Sequence, residues 1–133
     1  MDEGESTLEM GLAETAFYVF LICESISSRK GICFLNQGQK KLMEIQERYK
    51  SIYSVFVGAR DKVPDITDGN TRNRMLTIIR NAIKDNDILT EKRLYMPNTN
   101  TAKIFVAIEP QLIYVREGKK NIPLIDNSFW RIY

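Results

Sequence analysis

Residues 89–115, LTEKRLYMPNTNTAKIFVAIEPQLIYV, decide the fold class, because the hydrophobic period changes within them. Leu94-Tyr95-Met96, Ile104 to Ile108 and Leu112 to Val115 are short apolar runs rich in β-branched and aromatic residues, with turn-forming residues between them. They predict antiparallel strands. Pro97 to Thr101 supplies a first turn, Glu109-Pro110-Gln111 a second, and Glu117-Gly118-Lys119-Lys120 a third before a strand over Ile122 to Ile125.

Toward the N-terminus the period is helical. Ser6-Thr7-Leu8-Glu9 has the form of a capping box and predicts a helix from Leu8 to Ile26, apolar on much of its circumference. Ile32-Cys33-Phe34-Leu35 reads equally as a strand or as a buried connection. From Gln39 a second helix places Leu42, Ile45, Tyr49, Ile52, Tyr53 and Phe56 on one side, and Lys40, Glu44, Glu47, Lys50 and Ser54 on the other. Gly58 to Asn70, with Pro64 and Asp68-Gly69-Asn70, predicts an exposed connection. A third helix over Thr71 to Leu89 then buries Met75, Ile79, Ala82 and Ile83. The expectation is an α+β fold in one domain over residues 1–133, three N-terminal helices followed by a small antiparallel β-meander.

Bulk properties agree with such a domain. The chain has 133 residues, 44% of them hydrophobic and 27% charged, values typical of globular proteins. Thr15 to Cys23, bounded by Glu14 and Glu24, falls far short of the roughly 20 apolar residues a membrane span requires. The opening residues carry Asp2, Glu3, Glu5 and Glu9 where a secretory signal would carry bases, so an intracellular location, cytoplasmic or nuclear, is expected. Cys23 and Cys33 lie in apolar surroundings that suit reduced thiols, with a single bridge left open by spacing alone. The net charge is only +2, yet it is unevenly spread: residues 1–28 hold six acids and no base, while residues 29–62 hold eight bases and three acids.

No histidine is present, which excludes Ser-His and Cys-His nucleophilic pairs, a histidine base and histidine-ligated zinc. Two cysteines cannot form a four-cysteine zinc site, and the chain contains neither a Walker-type loop nor Gly-x-Gly-x-x-Gly. No cofactor and no catalytic or metal-ligating set is expected. Asp65, Asp68, Gly69 and Asn70 lack the acid an EF-hand needs at its first position, where Pro64 stands, and read as helix-capping and turn residues. Pro64-Asp65 with Glu117-Gly118-Lys119 resembles the Pro-Asp and Glu-x-Lys signature of a broad nuclease superfamily. That resemblance implies two metal-holding acids and a lysine assisting the attacking water, although a helix lies where the superfamily has a hairpin.

The leading functional expectation is a non-enzymatic binding or assembly protein acting through protein contacts or self-association. Its interface candidates are Phe129, Trp130, Ile132 and Tyr133, an apolar end that needs docking. Tyr49 and Tyr53 read as core. The alternative is nucleic-acid binding: Arg74, Thr77, Asn81 and Lys84 form a polar stripe on the third helix, with Arg72 and Arg80 beside it. This helix and the strands after it resemble the recognition helix and wing of a winged helix, with Lys92, Arg93 and Lys103 flanking a wing around Asn98 to Thr101. The connection Gly58 to Asn70 is longer than a helix-turn-helix turn.

Overall fold

The computed structural model describes residues 8, 10–28, 31–56, 62–87, 89, 91–99, 103–107, 114–117 and 120–123. Its first element, α1 (Leu12–Ser28), is the centre of the core: every residue from Ala16 to Ser25 is buried. A helix so apolar on all sides is stable only when surrounded, and α1 packs against α2 (Gln39–Phe56), α3 (Gly69–Lys84) and β1 (Ile32–Cys33). The helix begins at Leu12, not Leu8; Gly11 offers the first carbonyl, which accepts from both the amide and the hydroxyl of Thr15 at 2.9 Å. Leu8 and Met10 precede it as partly buried core contacts. Ser6, Thr7 and Glu9 lie outside the described residues.

The predicted apolar side of α2 is the buried one: Ile45, Tyr49, Ile52 and Tyr53 are buried and Leu42 is partly so. Tyr49 sets its ring edge-on to Phe17 and Phe20, with centroids 5.8 and 5.9 Å away, and its hydroxyl donates to the Ala13 carbonyl. Glu24 of α1, only 8% exposed, takes both forks of Arg48 at 2.9 Å and closes the α1–α2 contact. A buried carboxylate requires such a paired partner.

Three departures from the sequence expectation come from hydrogen bonds that the hydrophobic period does not encode, two of them between residues distant in the chain and one local to the end of α3. The connection before α3 is not wholly exposed: Ile66 is fully buried and Val63 and Pro64 are half-buried. The Gln46 side-chain amide donates to the Pro64 carbonyl at 2.9 Å and accepts from the Ile66 amide at 3.0 Å, standing in for a paired strand. Helix α3 starts at Gly69, capped by Asp68, and stops at Lys84, not Leu89. The Asp85 amide still bonds Asn81, but the Asn86 amide turns to Ile83, and the Asn86 side chain then accepts from the Leu89 amide. Leu94-Tyr95-Met96 is not a strand. Glu91 adopts a left-handed φ of 50° and opens a 3-10 turn, Lys92–Leu94, whose Tyr95 carbonyl accepts from the Tyr18 hydroxyl.

The order of elements also differs from helices followed by a meander. β1 sits between α1 and α2 and pairs antiparallel with β2 (Lys103–Ile104), Ile32 opposite Ile104 and Cys33 opposite Lys103. Asn98 bridges Phe105 on the other side, with amide-to-carbonyl bonds of 2.7 and 3.1 Å in both directions. The buried Ser25 hydroxyl accepts from the Val106 amide and donates to the Leu21 carbonyl, tying this edge to α1. A separate hairpin, β3 (Tyr114–Glu117) with β4 (Lys120–Pro123), closes on the pair Glu117 and Lys120, so strand pairing reaches the two ends of the predicted third turn. Two two-stranded sheets therefore replace one meander among the described residues. The α+β class stands, and no described helix is long and apolar enough to cross a membrane.

Candidate nucleic-acid interface

Helix α3, GNTRNRMLTIIRNAIK, contains three arginines, one lysine and no acid. Its inner face, Met75, Leu76, Ile79 and Ile83, is buried, which leaves Arg74, Thr77, Asn81 and Lys84 exposed along the opposite side. The sequence placed these four together, and so does the fold. Thr77 donates its hydroxyl to the Asn73 carbonyl at 2.9 Å and keeps its oxygen lone pairs outward-accessible as an acceptor. Asp68 anchors the start of the helix through the Thr71 amide and hydroxyl, at 3.0 and 2.9 Å. Those two bonds, with a lesser contribution from Arg72 and Arg74, hold its carboxyl below the usual carboxylate range.

The remaining cationic candidates divide by what they touch. Arg72 is turned inward: one nitrogen donates to the Ile66 and Thr67 carbonyls at 2.9 and 3.0 Å, and the guanidinium lies 4.3 Å from the centre of the Phe34 ring. It staples the connection to α3 and is spent on the fold, so it is removed from the stripe. Arg80 donates to the Thr99 hydroxyl at 2.9 Å. Lys92 donates to the Lys84 carbonyl at 2.7 Å, satisfying an end of α3. Arg93 and Lys103 are exposed. Lys92 and Thr99 are thereby drawn alongside α3. Sequence periodicity could not find Thr99, because its partner is nineteen residues away and shares no element with it.

Other candidates fare differently. Tyr49 and Tyr53 are core, as expected. Phe129, Trp130, Ile132 and Tyr133 lie outside the described residues. Asp65 spends its carboxylate on the Thr67 amide and hydroxyl, making the turn the sequence implied. Glu117 ends β3, while Lys119 lies outside the described residues. Among the described residues no three metal-ligating side chains come together. Both cysteines are free thiols, and burial, reinforced by Glu24, pushes the Cys23 thiol up to about 12, away from nucleophilic use.

A second surface feature was not legible in the sequence. Met43 is 61% exposed on α2, in an open depression lined by Gln39, Lys40, Glu44, Glu47 and Arg48. Met43 lies between the partly buried Leu42 and the buried Ile45 in sequence, but off the apolar side of α2. The sequence matches no known protein family, and neither a characterised protein nor a solved structure shows significant similarity to it.

Proposed function

We propose that this domain binds double-stranded nucleic acid, presenting α3 to a groove in the manner of a winged helix. The observation that carries the reading is topological and chemical together. Strand β1 lies between α1 and α2 and pairs with the outgoing strand after α3, while the acid-free polar face of α3 points away from the core. Cations on such a face neutralise phosphates, and amide and hydroxyl groups between them reach base edges. The exposed stripe carries no aromatic side chain on which unpaired bases would stack, which favours a duplex over a single strand. Fold alone implies no activity, so the stripe bears the argument.

The test is fluorescence anisotropy with a labelled mixed-sequence duplex DNA of about 20 base pairs, long enough for two helical turns. Binding at low salt should weaken steeply as salt rises. The double variant Arg74→Glu/Lys84→Glu should lower affinity by roughly tenfold or more, because two phosphate contacts become repulsions. Absence of binding at low salt, or equal binding by the variant, would discard the reading.

A protein-contact role keeps one supporting observation, the exposed Met43 in its open depression. Thioether side chains serve adaptable contact surfaces. Light-scattering mass measurement of wild type and Met43→Lys separates the two: an oligomer dissolved by the substitution, without a duplex-dependent shift, would favour assembly.

A further inference from the structure

Asn73, Thr77 and Asn81 follow one another at every fourth position of α3, so they form a continuous row on its surface, and all three are exposed. Arg74 and Lys84, also exposed, stand to either side of this row. Thr77 gives its one proton to the Asn73 carbonyl at 2.9 Å and is left as an acceptor. The two asparagine side chains keep a donor and an acceptor each: among the described residues neither has a hydrogen-bond partner within the chain. Asn86, beyond the helix, is the contrast, since its side chain accepts from the Leu89 amide. Asparagine is a weaker helix former than alanine, lysine or glutamine. At an exposed helix position propensity is the main local preference, and α3 goes against it twice in this row without a compensating bond.

Adenine is the base whose major-groove edge matches such an amide. Its N7 accepts and its N6 amine donates, so one asparagine satisfies both, donating from its NH2 and accepting at its carbonyl oxygen. Guanine offers two acceptors there, thymine an acceptor and a methyl group, and cytosine a donor. At about 1.5 Å of rise per residue, the eight residues between the amides amount to about 12 Å along α3. That is roughly three to four base pairs at about 3.4 Å each. We infer that Asn73 and Asn81 each read an adenine in the major groove, so that the ligand is a duplex site with two adenines roughly three to four base pairs apart, on the same or opposite strands, while Arg74 and Lys84 hold phosphates on either side. The inference rests on the duplex-binding reading and adds sequence selectivity to it.

The test incubates the full chain with a pool of duplex DNA whose central segment, about 12 base pairs or a little over one helical turn, is randomised, and sequences the bound duplexes. Enrichment of paired adenines at that spacing is expected. Asn73→Ala and Asn81→Ala should each erase the preference at one of the two positions and weaken binding to the selected duplex roughly tenfold. Alanine favours the helix, so both variants should melt no lower than wild type, and the loss is then one of recognition. At the position whose preference Asn81→Ala erases, 7-deazaadenine, which lacks the N7 acceptor, should weaken binding by wild type and leave Asn81→Ala unaffected. Binding of the pool without enrichment, enrichment of other bases, or an equal loss in wild type and variant on the modified duplex would each overturn adenine reading while leaving duplex binding intact. Failure of the wild-type chain to bind the pool at low salt would overturn both.

Discussion

Gly31 is the residue at which one added carbon would do most harm. Its φ of 84° lies in the left-handed region, and a Cβ there would be driven into the Ile104 carbonyl of the paired strand. Gly31→Ala is expected to destabilise the domain by roughly 1–3 kcal/mol from backbone strain alone, with the strand contact adding to it; the midpoint of a denaturant titration measures the change. Asp68 is a different kind of single-residue control. Its folded-state pKa lies below the ordinary 3.8, because the Thr71 hydrogen bonds favour the carboxylate. A depressed folded pKa stabilises the native state at pH above the unfolded value, and that stabilisation fades as pH falls through the folded value. Melting temperature should therefore drop below about pH 4 in wild type. Asp68→Asn, which keeps an N-cap acceptor, should show a smaller acid-dependent drop; equal acid sensitivity in the two proteins would refute the assignment. The Asp68 cap was legible in the sequence because capping is a local event. The strain at Gly31 was not, since β2 lies far along the chain.

At the scale of elements, α2 shows how one side chain organises a segment without regular structure. The Gln46 amide satisfies the Pro64 carbonyl and the buried Ile66 amide together. Gln46→Leu would leave those backbone groups without a partner, and a buried unsatisfied group costs about 1–3 kcal/mol. The expected result is a stability loss of about 2 kcal/mol in chemical denaturation, and a change below a few tenths would show that water replaces the amide. The apolar face of α2 was readable from its period, and so was the all-round burial of α1. The role of Gln46 was not, because a glutamine beside a helical apolar stripe reads as solvated. The end of α3 was overrun for a related reason: Ile88 and Leu89 continue the apolar pattern, but the Asn86 side chain and a main-chain turn end the helix first.

Across the whole molecule, the core is reported by its two thiols. Cys23 is buried on α1 with its pKa raised to about 12, while Cys33 is partly exposed on β1. Under native conditions near neutral pH an alkylating reagent should label Cys33 and spare Cys23, with Cys23 reacting only as fast as the structure opens. Mass spectrometry after timed labelling checks this, and equal rates would mean that α1 is not enclosed as described. By itself the sequence determined the three helices, the inner faces of α2 and α3, the α3 stripe and the exclusion of histidine chemistry. Each of these depends on residue identity and on spacing within a few turns, where helical geometry alone brings side chains together. Only the tertiary structure decided that Ile32–Cys33 is a strand, that Arg72 turns inward while Arg80 reaches Thr99, and that Gln46 holds the connection before α3. Those outcomes rest on hydrogen bonds and ring contacts between residues far apart in the chain. A polar side chain takes whichever partner the packed core brings within reach, and no local period encodes that choice.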